Sequence, residues 1–369
     1  MKISFYELVI DFLLKKYSHA KKYKLLPIDE IETIVVYSNT AIGDTLFNTP
    51  VFRSLKENFP QKKIIAIFNP TNYKLFENNP YIDDFILYDG RWKSFFSILR
   101  ILRKIKIDLS LILHSNEPQA TPLSILSNSK YIIKIPNDKN KYHLFHNNEQ
   151  LSYYGDRHGI YDRLRTLEYL GIYEKKTSME LFIEEENILE VERKLIELGI
   201  DTTYDKLIGF QIGASNLSRM WFEENWIKLG KKLLENNENL KIILTGAPNE
   251  REMTQRVFEG INSTRVFNLA GEFNIKSAAG LIEKCDLLIT PDTGPLHIAA
   301  ALNTPTIAFF VVAQWYGSNP CFNEHQHLYI QKEKTCTPCI GKTCKYQECM
   351  LQITVDEVLK KVYELCSLK

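Results

Sequence analysis

The residues best suited to bind an anion lie together in the stretch Asp292-Thr-Gly-Pro-Leu-His297. An apolar run of strand length, 287–290, precedes this stretch, and Pro295 suits the first position of a helix. In an open parallel sheet, ligands bind at the carboxyl ends of the strands. A helix that begins there directs unpaired N–H groups and about half a positive charge at the ligand. The stretch therefore predicts a phosphate-binding site.

A second candidate for chemistry is Asp44, in the stretch 39–50 that follows the first predicted strand. Gly43 allows a tight turn, and Asp44 lies where the next helix is predicted to begin. One interpretation is a helix N-cap, which by itself explains an aspartate at this position. The other is a carboxylate that accepts the proton of an acceptor hydroxyl. Both interpretations stay open at the level of spacing alone.

A third loop, 213–221, follows the first predicted strand of the second half of the chain. Gly213, Ala214 and Ser215 can present backbone N–H groups to phosphate oxygens. Arg219 adds a permanent charge with bidentate reach. The loop therefore predicts a second group of phosphate contacts.

The same pattern, a strand end followed by a turn with small residues, occurs twice more. The turn 245–250 contains Gly246 and leads into a predicted helix at Glu250. The turn 268–272 contains Gly271. Both turns would lie at the same edge of the sheet as the phosphate loops.

Four of the seven cysteines form a cluster, Cys336-x2-Cys339-x4-Cys344-x4-Cys349. Because the chain shows no signal-peptide pattern, the cluster favours a metal site over disulfides. Four thiolates could hold zinc or iron as a structural site. The intervals differ from those of a common zinc ribbon, so reduced thiols without a metal are the alternative.

These loops need a parallel α/β framework, and the apolar runs supply one. Strands are predicted at 33–37, 64–68, 85–87, 109–113, 131–135, 207–212, 241–244, 266–269, 287–290 and 306–310, and helices at 46–58, 94–103, 161–170, 223–235, 250–259 and 277–284. The alternation predicts two Rossmann-like, doubly wound α/β domains facing each other across a cleft. The division is predicted after residue 175, giving domains 1–175 and 176–369.

Composition and missing motifs exclude several classes. With 46 basic and 45 acidic residues, the net charge is +1, which argues against a nucleic-acid partner. Neither G-x-G-x-x-G nor G-x-x-x-x-G-K-[ST] occurs, which weakens the dehydrogenase and P-loop interpretations. Asp-x-Asp is also missing, which favours helix termini and cationic side chains over Mg²⁺ as the means of stabilising a leaving group.

Residues 1–26 contain six lysines and two acids. Their apolar residues share one helical face, so the pattern predicts a basic amphipathic helix. The segment lacks a signal-peptide pattern and the chain has no run of 18 apolar residues, so a cytoplasmic protein is expected. The helix could lie on an anionic membrane surface. Docking on its own domain is the interpretation that the pattern favours.

Taken together, the loops resemble glycosyltransferase family 9, the bacterial heptosyltransferases that build the inner core of lipopolysaccharide from ADP-heptose. The resemblance covers residues 31–358. It rests on the Asp292–His297 stretch followed by Ala-Ala-Ala-Leu and Pro305, on Ile42-Gly-Asp-Thr-Leu46 with Pro50, and on the Gly213 loop. It implies the GT-B fold, a nucleotide-diphospho-sugar bound mainly by the second domain, and inversion at the anomeric carbon.

The resemblance also implies roles for individual residues. Asp44 matches the general base, Arg219 matches a contact to the donor diphosphate, and Asp292 matches an acidic residue of the donor site. An aspartate beside a diphosphate would repel it, so hydrogen bonds to sugar hydroxyls or loop capping are easier roles for Asp292. Glu250 could meet the ribose hydroxyls, although the helix dipole alone explains a first-turn glutamate. The other positions in the diphosphate loop are Thr293, Gly294 and His297.

The expected function is inverting, metal-independent transfer of heptose from ADP-heptose to the lipid-linked core oligosaccharide of a lipopolysaccharide or lipooligosaccharide. No cofactor is expected for catalysis, and the protein is expected to work at the inner face of the inner membrane. The alternatives are transfer to a protein acceptor, as in autotransporter-modifying relatives with a cysteine-held iron finger, a GT-B-fold sugar-nucleotide epimerase, and a non-catalytic sugar-nucleotide-binding protein.

Overall fold

Apolar runs of strand length build two separate parallel sheets, one in each half of the chain. The computed structural model describes residues 5–114, 118–135, 141–149, 158–235 and 237–366. The chain divides into two compact units, Met1–Glu180 and Leu181–Lys369.

The sheet of the first unit has the order β3-β2-β1-β4-β5, with every pair parallel. Its strands are β1 (Thr33–Tyr37), β2 (Lys63–Phe68), β3 (Asp84–Leu87), β4 (Leu109–Ile112) and β5 (Tyr131–Lys134). Its helices are α1 (Phe5–Leu14), α2 (Ile42–Leu46), α3 (Thr49–Asn58), α4 (Phe95–Leu102), α5 (Ala120–Leu126) and α6 (Gly159–Leu164). The central strands are buried on both faces, which explains why they read as continuous apolar runs.

Two predicted helices of this unit are broken in the structure. In the stretch 46–58, Leu46 is the last residue of α2 and Thr49–Asn58 form α3, because Pro50 has no N–H to continue the first helix and instead lies in the first turn of a new one. The stretch 161–170 forms α6 and then a 3-10 helix, Arg165–Leu170, which Gly171 ends with a φ of 78°.

The amino-terminal helix is shorter than predicted. Within the described residues it covers Phe5–Leu14, whereas 15–26, the amino-terminal strap, form turns and irregular backbone. The strap bonds its backbone to other parts of the unit: Ala20 N–H donates to Leu144 O at 3.0 Å and Tyr23 N–H to Asn147 O at 2.8 Å. These contacts satisfy backbone groups that a longer helix would have used internally. Residues 1–4 lie outside the described ranges.

The end of the first unit is held by a buried arginine. The guanidinium of Arg53, on α3, donates to the backbone oxygens of Lys176 and Ser178 at 2.8 and 2.9 Å, and to the carboxylate of Glu180 at 2.8 Å. The side chain of Arg53 is 1% exposed, so these acceptors satisfy a cation that water does not reach. Residues 176–180 therefore belong to the first unit, whereas the sequence places the division after residue 175.

The sheet of the second unit has the order β11-β10-β9-β6-β7-β8, again all parallel. Its strands are β6 (Lys206–Gln211), β7 (Leu240–Thr245), β8 (Val266–Asn268), β9 (Leu287–Pro291), β10 (Thr306–Phe310) and β11 (His327–Gln331). Its helices are α7 (Glu185–Glu197), α8 (Glu223–Glu235), α9 (Arg251–Ile261), α10 (Ile275–Glu283), α11 (Gly294–Ala301), α12 (Trp315–Ser318), α13 (Glu348–Leu351) and α14 (Val355–Leu365).

Helices cover both faces of this second sheet. One core joins the strands to α8, α9 and α14, and includes Trp221 and Trp226 in edge-to-face contact at 5.2 Å. A second core joins the opposite face to α7 and α10. None of the helices in the described ranges combines the length and apolar character that a membrane crossing requires.

Candidate active site

In each of the two sheets, the order of the strands reverses direction at one position. In the first unit the chain moves from β1 to β2 on one side and later to β4 on the other; in the second unit β6 has β7 and β9 as its neighbours. Ligands of open α/β sheets bind at such reversals, outside the carboxyl ends of the strands. The candidate residues of the sequence follow β1, β6, β7 and β9, and so lie at these edges.

Asp44 lies in the first turn of α2, which follows β1. The N-cap of α2 is Ala41, so Asp44 does not cap this helix. Its Oδ1 accepts a hydrogen bond from Arg163 Nη2 at 2.8 Å. The Asp44 side chain is 43% exposed, whereas that of Arg163 is 7% exposed. A buried cation thus orients a carboxylate that still faces solvent and can accept a further hydrogen bond there.

Arg163 is itself fixed by three further contacts. Its Nε donates to Asn48 Oδ1 at 2.7 Å and its Nη1 to Gly159 O at 2.8 Å. Its guanidinium lies over the Phe47 ring, 5.3 Å from the centroid. Glycine at 159 leaves room for this group, since a Cβ there would lie 2.8 Å from Arg163 Nη1. The guanidinium therefore holds Asp44 in one orientation.

His114 is a further polar residue at this edge. It follows β4, and Leu113 N–H bonds to Tyr37 O at 3.3 Å, which aligns the end of β4 with the end of β1. Burial lowers the pKa of His114, and the charges of Arg163 and Lys134 lower it further against the opposite effect of Asp44. Its Nδ1 has no hydrogen-bond partner within the described ranges. The site thus contains a neutral imidazole near the Asp44 carboxylate.

In the second unit, Arg219 and Asp292 form one pair across the ends of β6 and β9. Arg219 Nη1 donates to Asp292 O at 2.7 Å, and Nη2 lies 3.3 Å from Asp292 Oδ2. Ser318 Oγ lies 3.5 Å from the other carboxylate oxygen. Asp292 therefore positions the guanidinium, a role that sequence reasoning did not consider for it.

The predicted anion loop has the expected form. Thr293 is the N-cap of α11 in extended conformation, Gly294 is the first helical residue, and Pro295 follows. The Thr293 side chain does not cap the helix; its hydroxyl lies 3.2 Å from Thr290 Oγ1. His297 is buried in the first turn. The amino end of α11 thus adjoins the Arg219 guanidinium, and both favour an anion.

Glu250 lies against two glycines at the ends of β6 and β7. A Cβ on Gly213 would lie 1.8 Å from Glu250 Oε1, and one on Gly246 would lie 2.9 Å from Oε2. Glu250 Oε2 accepts hydrogen bonds from Ala247 N–H at 2.8 Å and from Gln211 Nε2 at 3.3 Å. The carboxylate therefore occupies a space that only glycines leave open.

The turn at Gly271 explains that glycine without a ligand, whereas Ala214 and Ser215 are described only by their location. Gly271 has a φ of 72°, and a Cβ there would lie 2.8 Å from Pro248 Cα, so the turn itself requires glycine. Ala214 and Ser215 lie in the loop after β6, where Ser215 is exposed.

The four clustered cysteines are not arranged as a metal site. In the described ranges, which include all four, no group of three or more His, Cys, Asp or Glu side chains could hold a metal ion. Two of the thiols bind backbone instead, as Cys339 Sγ accepts from Gly341 N–H and Cys349 Sγ from Thr335 N–H, both at 3.4 Å. None of the seven cysteines forms a disulfide. The predicted structural zinc or iron site gains no support from this loop.

Sequence reasoning did not identify Arg163, His114 or Gln211 as site residues. Gln211 ends β6 and His114 closely follows β4, so the strand pattern alone could have indicated both. Arg163 lies 119 residues after Asp44 and far from any strand end, and no local signal marks it.

More than half of the chain matches a known protein family. Residues 137–350 match the sequence profile described as glycosyltransferase family 9 (heptosyltransferase). The chain is 25% identical over 339 residues to lipooligosaccharide heptosyltransferase 2 of Campylobacter jejuni subsp. jejuni serotype O:2, which covers 90% of this chain and 98% of that protein.

Two solved structures share the fold. The glycosyl transferase family 9 structure from Veillonella parvula DSM 2008 superposes with a TM-score of 0.78 at 23% identity, covering 93% of this chain and 99% of that one. The E. coli ADP-heptose lps heptosyltransferase II superposes with a TM-score of 0.72 at 19% identity, covering 90% and 98%.

Proposed function

The chain belongs to glycosyltransferase family 9, and from this premise we propose that it transfers heptose from ADP-heptose to the core of a lipopolysaccharide or lipooligosaccharide. The family match confirms the resemblance seen in the sequence, and with it a glycosyltransferase activity. The solved structures confirm the GT-B fold with its two parallel-sheet α/β domains. The proposed donor and acceptor are the ones that appear in the names of the similar proteins.

The proposal rests on two groups at the ends of β6 and β9, a positively charged guanidinium and the positively polarised amino end of a helix. The Arg219 guanidinium and the amino end of α11 are both suited to the oxygens of a diphosphate. Asp292 orients Arg219 through its backbone and side chain, so its negative charge is directed at the guanidinium. Glu250, fixed by Ala247 and Gln211, can accept hydrogen bonds from ribose hydroxyls.

In the first unit, Asp44 is proposed as the general base. Because Arg163 occupies Oδ1, the other carboxylate oxygen can accept the hydroxyl proton of the acceptor. The acceptor oxygen then bonds to the anomeric carbon, the bond from that carbon to the diphosphate breaks, the proton passes to Asp44, and ADP leaves. Attack opposite to the leaving group inverts the anomeric carbon.

The proposed mechanism is metal-independent. Charge that develops on the departing diphosphate is stabilised by Arg219 and by the dipole of α11, which are fixed before the reaction begins. The acceptor class further suggests that the enzyme works at the cytoplasmic face of the inner membrane, where a lipid-linked core is available.

The test is an ADP-release assay with ADP-heptose and a water-soluble, deacylated core acceptor. We expect acceptor-dependent release of ADP, retained in EDTA, and little release from GDP- or UDP-sugars. The variant Asp44→Asn keeps an oxygen for Arg163 but cannot accept the proton, so turnover should fall by about 10²–10⁴-fold. Asp29→Asn, an exposed residue of the same unit, is the matched control.

Donor binding and thermal unfolding of Asp44→Asn should match those of the wild type. Turnover within a few-fold of wild type would rule out Asp44 as the base. Loss of release in EDTA with recovery in Mg²⁺ would contradict the metal-independent mechanism, and an epimerised sugar from donor alone would indicate an epimerase instead.

A further inference from the structure

Helix α1 buries only one of its faces. Ile10 and Leu14 pack into the core of the first unit beside α4 and α5. This docking agrees with the interpretation that the sequence pattern favours. It accounts, however, for only part of the helix's apolar surface.

The other apolar residues of α1 form an exposed stripe. Phe5 is 76% exposed, Leu8 55% and Phe12 71%. Their spacing of three and four residues places them on one face of the helix. Two phenylalanines and a leucine in water are costly unless a partner covers them. These three residues form the apolar stripe of α1.

The two acids of α1 are already paired within the protein. Lys141 Nζ lies 3.2 Å from Glu7 Oε1 and 2.5 Å from Asp11 Oδ2. The Tyr142 hydroxyl donates to Asp11 Oδ1 at 2.9 Å. Lys141 thus offsets one of the two negative charges of the helix, and the Tyr142 hydroxyl stabilises Asp11, so little negative charge remains to oppose an anionic partner.

All the acidic or basic side chains with a fixed charge in the segment that follows the helix are lysines. Lys15, Lys16, Lys21 and Lys24 are exposed in the amino-terminal strap, which contains no Asp or Glu between residues 15 and 26. The strap is fixed to the unit by the backbone bonds to Leu144 and Asn147. These lysines therefore follow α1 directly in the chain, in a segment whose backbone is held in place at Ala20 and Tyr23.

We propose that α1 and the strap form a membrane-docking surface, in which the apolar stripe enters the interface of an anionic bilayer and the strap lysines contact lipid phosphates. An apolar face flanked by exposed cations is the pattern of interfacial helices. Docking of this surface on a bilayer does not require the transfer reaction.

A bilayer fits this surface better than a second copy of the chain. A contact between two copies through α1 would bring the same lysines close to one another, whereas anionic lipid supplies the opposite charge. Three exposed side chains also offer little area beside the roughly 800 Å² per partner of a stable protein interface.

The test is cosedimentation of the full-length protein with vesicles. We expect stronger binding to phosphatidylcholine vesicles that contain about one-third phosphatidylglycerol than to phosphatidylcholine alone, and weakening by salt. The combined variant Phe5→Ser, Leu8→Ser, Phe12→Ser should lower the association constant by about 10-fold or more. The matched control is Leu189→Ser, Ile196→Ser, two exposed apolar residues on α7.

Equal binding of the stripe variant and the wild type would overturn the proposal. So would a dimer in size-exclusion chromatography that the stripe variant abolishes, with no binding to vesicles. Turnover of the water-soluble acceptor should be the same in the stripe variant and the wild type. Failure of vesicle binding with normal turnover, or the reverse, separates this proposal from the proposed function.

Discussion

Each unit has one arginine beside its candidate functional residues. Arg163 is buried and bonded to Asp44, whereas Arg219 is bonded to Asp292 and lies beside a helix terminus. In the proposed reaction, Arg163 orients the base and Arg219 contacts the diphosphate. A lysine at 163 could not reach Asp44, Asn48 and Gly159 together, so the two basic residue types are not interchangeable there.

A buried histidine in the first unit should make stability depend on pH. His146 is 4% exposed, and its Nε2 lies 2.8 Å from Thr121 Oγ1. Burial, aided by nearby charges of Lys134 and Lys22, lowers the pKa of His146 to about 3. The unfolded chain takes up this proton near pH 6.5 and the folded one does not. Stability is therefore complete above about pH 6.5 and falls by about 1.4 kcal/mol per pH unit below it.

Urea unfolding between pH 7 and pH 4.5 measures this effect. The variant His146→Gln keeps a partner for Thr121. Its free energy of unfolding should depend less steeply on pH, by the amount that corresponds to about one bound proton. His327, whose pKa burial lowers to about 4, contributes to both proteins alike and cancels in the comparison. Identical slopes for variant and wild type would contradict the assignment.

Among single residues, those that directly follow a strand could be predicted from the sequence. Residues whose partners lie far away in the sequence were missed. Asp44 and Arg219 were found because each lies in a loop after an apolar run. The ion pair that orients Asp44 was not, because nothing near Arg163 in sequence indicates a partner 119 residues away. Asp292 was found, but its pairing with Arg219 depends on β6 and β9 being neighbours, which is a property of the sheet.

Among the elements, the loop after β6 is the most sensitive to a small change. In Gly213→Ala the new Cβ would displace the Glu250 carboxylate, since the two would stand 1.8 Å apart. If Glu250 binds ribose, donor affinity should fall by about 10-fold, measured by calorimetric titration with ADP. Gly317→Ala, where the added Cβ meets nothing within 4 Å, is the control.

A double-variant cycle sharpens this test. In Glu250→Ala the space beside Gly213 is empty, so adding Gly213→Ala should cost little more donor affinity. Additive losses would show that the two positions act separately and that Glu250 is not the group displaced.

The boundaries of helices and strands were predicted correctly where the apolar periodicity ended at a stop signal in the sequence. β1, β10 and α8 lie where the pattern predicted them. The break between α2 and α3 was missed although Pro50 signals it, because the apolar period continues across the break. Helix α7 and strand β11 were also missed; the charged sequence of α7 hides its apolar face, which packs against α10.

For the whole molecule, each unit has its own core, so a donor should protect the second unit locally. With ADP at 100 times its Kd, amide exchange should slow by up to about 100-fold at the ends of β6, β7 and β9. Hydrogen exchange with mass spectrometry measures this change peptide by peptide. Arg219→Gln should lose the protection, while Arg256→Gln, an exposed arginine on α9, should keep it. Protection confined to the first unit would refute the donor assignment.

The segment that closes the first unit also decides where this enzyme can be recombined with its relatives. A chimera joined after residue 175 would take Lys176, Ser178 and Glu180 from another protein, although Arg53 depends on the Glu180 carboxylate and on the path of that backbone. A buried guanidinium that loses its acceptors typically costs several kcal/mol. Domain exchange should therefore use a junction after Glu180, so that Arg53 and its acceptors come from one parent.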